Sequence, residues 1–256
     1  MTSIDAPLTP TALSVTRQFG LLLQWQVRRL TSLVPLLVLV QALLAVTTVF
    51  GYGLLIGTPS PEAAAYLATG APTITLIMVG LVMTPQAVAQ AKTEGSLAWL
   101  RTLPVPRTVF LAADLALYTL VALPGMVLGA ITGAWHFHIA LVPAPWILLA
   151  APLVSLVAAT VGYSAALLLR PQLAQLLSQV LVFVTLLFSP ISFPVDRLPG
   201  WLAAAHQWLP LEPMADLMRA ALLADRFTLP ARSAAVLATW AVAGVIGAAA
   251  VLRRRA

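Results

Sequence analysis

Six runs of roughly twenty or more apolar residues, at about 32–57, 66–91, 108–134, 146–169, 173–192 and 231–251, divide the chain between them. A bilayer core about 30 Å thick is crossed by a helix of about that length. Strands of a membrane barrel would instead alternate apolar and polar residues over about ten positions. These runs are continuous, so backbone groups must be satisfied within each segment, and only helices do that in lipid. The expected fold is an all-α integral membrane protein of six transmembrane helices. Apolar residues make up 61% of the chain and charged ones 9%, with a mean hydropathy of +0.96, far from the composition of a soluble domain.

The net charge of +6 does not point to nucleic acid, because the basic residues flank spans rather than forming one soluble face. With the N-terminus inside, Arg17, Arg28, Arg29, Lys92, Arg101, Arg107, Arg170 and Arg253 to Arg255 fall on the cytoplasmic side. Arg197, Arg219, Arg226 and Arg232 fall outside, beside Asp196, Glu212, Asp216 and Asp225. Ten against four fixes the orientation, with both termini cytoplasmic. No cysteine is present, which removes disulfides and thiolate chemistry. The thirty fairly polar residues before the first run, and the length of that run, do not fit a cleavable signal.

Outside the spans, three stretches carry pattern. Residues 11–30 place Val15, Phe19, Leu22, Leu23, Val27 and Leu30 on one helical face and Arg17, Gln24 and Arg28 on the other, with Gln26 interrupting the apolar side. That is the pattern of an interfacial helix on the membrane lipids of the cytoplasmic leaflet. Residues 191–230 are cut by Pro194, Pro199, Pro210, Pro213 and Pro230 into pieces too short to cross a bilayer. They predict two short helices near 199–208 and 212–224, anchored by Trp201 and Trp208, in a segment that enters the membrane and returns. The third stretch, EGSLAWLRTLPVPRTVF at 94–110, forms about two helical turns before Pro104 and Pro106 stop it. Leu97 and Leu100 share an edge while Glu94, Trp99 and Arg101 point elsewhere, a compact cytoplasmic knob suited to docking a soluble partner.

Within the spans, polar residues stand out. Thr69, Thr73, Gly80 and Thr84 form a stripe that fits either a packing seam or one wall of a path. Gly125, Gly129 and Gly133, four apart, predict close helix contact. Gln172, Gln175 and Gln179 share a face with Phe183 one turn further, either interhelical glue or a cavity wall. Thr73, Thr84, Gln175, Gln179 and Phe183 are the candidate substrate path. Asp114 near the start of its span reads as a satisfied structural group, and His136 and His138 as an interfacial pair, since further metal ligands are not evident nearby.

No G-x-x-x-x-G-K-[ST] loop occurs, and the single lysine, Lys92, lacks the preceding glycines. No nucleophile and base stand in a hydrolase pattern. The chain reads as non-catalytic and as binding no cofactor of its own.

The run Glu94-Gly95-Ser96-Leu97-Ala98-Trp99-Leu100-Arg101-Thr102-Leu103-Pro104 resembles the coupling-helix region of ABC-2 type transporter permeases, in which a G-T-L-[ED]-x-L-x-x-x-P pattern follows the second span. Ser96 replaces the usual threonine and Ala98 the usual acidic residue. Pro194, Leu198-Pro199, Trp201-Leu202, Pro210-Leu211, Asp216 and Arg219 resemble the family's outer re-entrant hairpin, though Glu212 and Pro213 depart from its common pair. The resemblance implies a permease in the bacterial inner membrane, paired with a second permease, identical or related. It also implies two separate ATPase subunits, which hold ATP and magnesium, docking at Glu94, Gly95, Ser96, Leu97, Trp99, Leu100, Arg101 and Pro104. The expected function is export of an amphiphilic drug, lipid or lipid-linked glycan. A passive channel or scaffold docking a non-ATPase partner is the rival, against which no span offers a continuous polar lining.

Overall fold

The computed structural model describes residues 14–96 and 105–254, the side chains of Arg253 and Arg254 excepted. Among the described residues six helices are long and apolar enough to cross a membrane. A short helix α1 (Val15–Leu30) leads through a turn into α2 (Val34–Ile56), whose Pro35 occupies the first turn, where its missing N–H costs nothing. The second crossing runs from Pro61 to Thr93 and begins five residues before its apolar run, because Ser60 caps it and Pro61 starts it. It consists of α3 (Pro61–Met78), a π-helical turn at Val79–Met83 and α4 (Thr84–Thr93). The third to sixth crossings are α5 (Arg107–His136), α6 (Ile147–Leu168), α7 (Pro171–Phe188) and α10 (Ala231–Arg254). Between the last two lie α8 (Gly200–His206) and α9 (Leu211–Leu222), one to two turns and about three turns long.

The second crossing is the hub of the bundle. Its most apolar window is 89% buried, against 17% for each of α2, α7 and α10, which lie on the outside. Three of its features depend on glycine and proline. Pro72 cannot donate to the helix ladder, and the backbone around Pro72 and Ala68 lies against Gly129 and Gly133 of α5, where any Cβ would overlap it. The predicted glycine ridge is thus a seat for the α3 backbone. Further on, Pro85 cannot donate to Leu81, and the helix widens into the π turn just before it. Thr84 donates its hydroxyl to the Val79 carbonyl at 3.1 Å, closing that turn. Gly80 meets the backbone of Ala158 and Ala159, and Gly162 meets the Gly80 carbonyl, so this wide turn is pressed onto α6 at two glycines.

The threonine stripe lies within these contacts. Thr69, Thr73 and Thr84 are almost wholly buried, and each hydroxyl returns to a carbonyl of its own helix. Thr73 and Thr84, expected on a substrate path, are buried within the chain's own helix bundle. The hydroxyls satisfy themselves and leave only small, packable surfaces.

A different device repairs α5 at Pro124. The side chain of Gln41 on α2 donates to the Val121 carbonyl at 2.7 Å and accepts from the Gly125 N–H at 2.7 Å. The two groups would otherwise bond each other in an unbroken helix. The proline opens the ladder, the amide fills it, and Gly125 has no side chain to obstruct the insertion.

At the end of the bundle away from α1, α9 is the most enclosed helix of its length. The loop at 137–146 pairs with its C-terminal turn through Val142 N–H to Leu222 O at 3.0 Å and Ala144 N–H to Ala221 O at 2.8 Å. Arg219, 4% exposed, donates to Asp216 at 2.9 Å and to the Ile191 carbonyl at 3.1 Å, and its guanidinium lies 3.9 Å from the Tyr66 ring centroid. Asp216 also accepts from Ser233 at 2.6 Å, and Glu212 from Arg232 at 3.1 Å. This charged cluster locks α9 to α3 and α10. Pro194 precedes a single 3-10 turn and Pro199 precedes α8, while Pro210 precedes α9. Trp201 and Trp208 are exposed, and the Trp208 carbonyl accepts from Trp240 at 2.8 Å. The His136 ring lies tilted against that of Phe50, centroids 4.4 Å apart, and forms no metal-binding cluster among the described residues.

Candidate functional site

The α1 end of the bundle gathers most of the polar side chains singled out above. Here α4 ends because Gly95 takes a left-handed conformation (φ +74), which a side chain would strain. Glu94 N–H closes on the Gln90 carbonyl at 2.9 Å and Gly95 N–H on the Lys92 carbonyl at 3.4 Å. Ser96 then donates its hydroxyl to the Ala91 carbonyl at 3.3 Å, turning the chain back over the helix it has left. Leu97, Trp99, Leu100, Arg101 and Pro104 lie outside the described residues.

Both ends of that connection are tied into the bundle. Lys92 donates to the carbonyls of Ala166, Leu167 and Leu169, where α6 runs out of intrahelical partners. A cation at a helix C-terminus also meets the negative end of the helix dipole. Glu94 accepts from Gln90 at 2.7 Å and lies 3.7 Å from Arg29 of α1. On the far side Arg107, the first residue of α5, donates to the Leu252 carbonyl of α10 at 3.1 Å. Lys92, Glu94, Ser96 and Arg107, at the described ends of this connection, therefore reach α6, α1, α4 and α10.

Beside this connection, α4 and α7 form the walls of an open cleft of about 790 Å³. Gln86, Gln90, Thr93 and Glu94 face Gln172, Gln175, Leu176 and Gln179 across it. The glutamines of α7 thus belong to a cavity wall, one of the two readings their face allowed. Phe183, 63% exposed, lies one turn beyond Gln179 and does not line the cleft. Gln86 and Gln90 were not singled out from sequence, although their spacing of four on TPQAVAQAKT repeats that of Gln175 and Gln179. Five neutral amides offer donors and acceptors alternately, a lining suited to hydroxyl-rich or amide-bearing surfaces.

On α1, Arg17, Gln24 and Arg28 are exposed as the helical pattern places them. The apolar face is rotated from its expected centre: Val15 and Val27 are exposed, while Phe19, Leu22, Leu23 and Leu30 are partly covered. Gln26, which breaks the apolar side in the sequence, is the most buried residue of the helix, and donates to Asp114 of α5 at 2.5 Å. The break is the attachment point of α1, which meets α5 at Asp114.

The family model for the ABC-2 type transporter matches residues 12–223, from just before α1 to the end of α9. No curated protein matches the chain.

Proposed function

Because this chain belongs to the ABC-2 type transporter family, and is therefore a permease component of an ABC transporter, we propose that it forms the membrane half of an ATP-driven exporter. In this reading two ATPase subunits, carrying ATP and magnesium, dock on the α4–α5 connection at Glu94–Pro104. A second permease, identical or homologous, completes the path. The assembly sits in the bacterial inner membrane with both termini cytoplasmic and moves an amphiphilic drug, lipid or lipid-linked glycan outward.

The observation that carries the reading is the anchoring at 92–107. A soluble motor performs work on a membrane bundle only where its contact is stiffly joined to several helices. Lys92, Glu94 and Arg107 provide such joints to α6, α1 and α10. The arginine distribution supports the orientation, since the connection then faces the compartment that holds ATP. The exposed apolar faces of α2 and α7, with Leu36, Leu39 and Leu43 on one and Leu173, Leu176 and Val180 on the other, supply surfaces for lipid and for the second permease.

The test is co-expression with a cognate ABC ATPase subunit, comparing Leu97→Glu and Leu100→Glu with the parent. Loss of co-purification, with the permease still monodisperse, is expected for both. Retention of the complex and of transport-linked ATP turnover in both variants would refute docking at this connection.

A further inference from the structure

Beneath α1 lies a second cavity, of about 400 Å³, lined mainly by α1, α4 and α5, with Tyr163 of α6 also on its wall; it adjoins the glutamine cleft, with which it shares Gln86, Gln90 and Glu94. Its volume is in the range of sites for small organic ligands. Its floor holds an unfinished hydrogen-bond arrangement. Gln26 donates its amide nitrogen to Asp114, but the amide oxygen, Oε1, is buried and has no partner. Gln26 is 5% exposed, and both it and Asp114 line the cavity. An acceptor left bare beside a carboxylate is a costly arrangement, and what it lacks is a donor.

The charges around it define that donor. Of the cavity's charged residues, Arg29 is committed to Glu94 at the rim, 3.7 Å away, and among the described residues no cation reaches Asp114 within ion-pair distance. With Glu94 and Asp114 both ionised, the one arginine of the lining leaves it a net −1. Trp25, Phe110 and Tyr118 add aromatic surface, and Met83, Leu117 and Val121 an apolar wall. An ammonium has several N–H donors and so can serve Gln26 Oε1 and Asp114 together. A hydroxyl has one donor, and a carboxylate or phosphate has none and meets a negative site. Aromatic faces attract cations further.

We propose that this cavity is a binding site for amphiphilic monocations, the protonated amine seated between Gln26 and Asp114 and the apolar body against α4 and α5. Leu33 and Leu37, at the start of α2, also line it, and Leu33 is exposed. They lead an alkyl tail from the cavity towards the outer face of α2. As a transported substrate such a cation rests on the permease reading; as a bound ligand it does not, so binding is measured on this chain without an ATPase.

The full chain in phosphatidylcholine nanodiscs is titrated with three fluorescently labelled C12 amphiphiles of equal length: a primary amine, its N-acetyl derivative and a carboxylate. At pH 8 the amine remains cationic, its pKa being about 10. The parent is expected to bind the amine at least tenfold more tightly than the other two, beyond partition into protein-free discs. Asp114→Asn is expected to abolish that preference while still binding the N-acetyl probe. Gln26→Leu should weaken the amine several-fold, and Asp225→Asn, the same charge change at the other end, should not. Equal affinity of the parent for all three probes, or binding no stronger than to empty discs, overturns the proposal without reference to any variant. So does an Asp114→Asn protein that keeps the preference for the amine. Loss of amine selectivity would leave the α4–α5 docking reading intact, and failure of ATPase docking would leave the amine site intact.

Discussion

Replacing Gln41 with leucine removes the amide that spans the gap in α5 and leaves the Val121 carbonyl and the Gly125 N–H facing an apolar side chain of similar size. Both bonds are 2.7 Å long in the structure, and the N–H is buried. A buried backbone group deprived of its partner costs about 1–3 kcal/mol. Interhelical hydrogen bonds measured in membrane proteins average nearer 0.6 kcal/mol, because disrupted states find other partners. Here re-pairing is hindered: Pro124 holds the ladder open and the surroundings are apolar. For two groups a loss of about 2–4 kcal/mol is expected. Gly125→Ala should cost a similar amount, since its methyl would overlap the Gln41 amide and expel it. The two substitutions remove one arrangement, so the double variant should fall short of the sum by about 1–3 kcal/mol. Equilibrium unfolding in mixed micelles, followed by far-UV circular dichroism, measures all four proteins. A Gln41→Leu protein within about 0.5 kcal/mol of the parent, or strict additivity, would refute the view that the amide substitutes for the broken ladder.

Three further outcomes follow from the packing and the charges. Gly162→Ala places a methyl on the Gly80 carbonyl at the π turn and should cost about 1–3 kcal/mol in the same unfolding assay. Arg219→Met leaves Asp216 with Ser233 but without its cation; breaking such a pair costs about 3–5 kcal/mol, seen as a lower melting temperature and loosened proteolytic protection of α9. Burial raises the Glu212 carboxyl above the usual range, with Asp216 adding to the rise and Arg232 and Arg219 opposing it. A raised native pKa means that stability falls as pH climbs from the unfolded carboxylate value through the folded one. The parent should therefore lose stability relative to Glu212→Gln between that lower pH and neutrality, and melting curves across this range should show the difference widening and then levelling.

Several elements were legible because their causes are local. The end of α4 was not among them: the stretch from Glu94 reads as helix up to Pro104, yet Gly95 takes a left-handed conformation and α4 stops before it. Gly129 and Gly133 had to face a close backbone, although nothing in their spacing names α3 as that neighbour. Gln26 shows the limit from the other side. As a polar residue on an apolar face it looks like a flaw in an amphipathic helix, and only Asp114, 88 positions away, makes it the point of attachment. The cleft was half visible: the glutamines of α7 had the spacing of a face, but Gln86 and Gln90 complete it only once α4 is set beside α7.

By itself, the sequence determined the all-α class, the number of crossings and the proline breaks between the last two, since helix formation in lipid depends on local length, apolarity and backbone breaks. The tertiary structure alone decided the rotation of each helix and its neighbours. It buried Thr73 and Thr84, exposed Gln175 and Gln179, and placed Gln41 in the gap at Pro124. The reason is physical: lipid tails are as apolar as a protein core, so hydrophobicity does not mark which face of a crossing turns inward. That choice is left to small residues, backbone gaps and polar side chains, whose partners are distant in the chain.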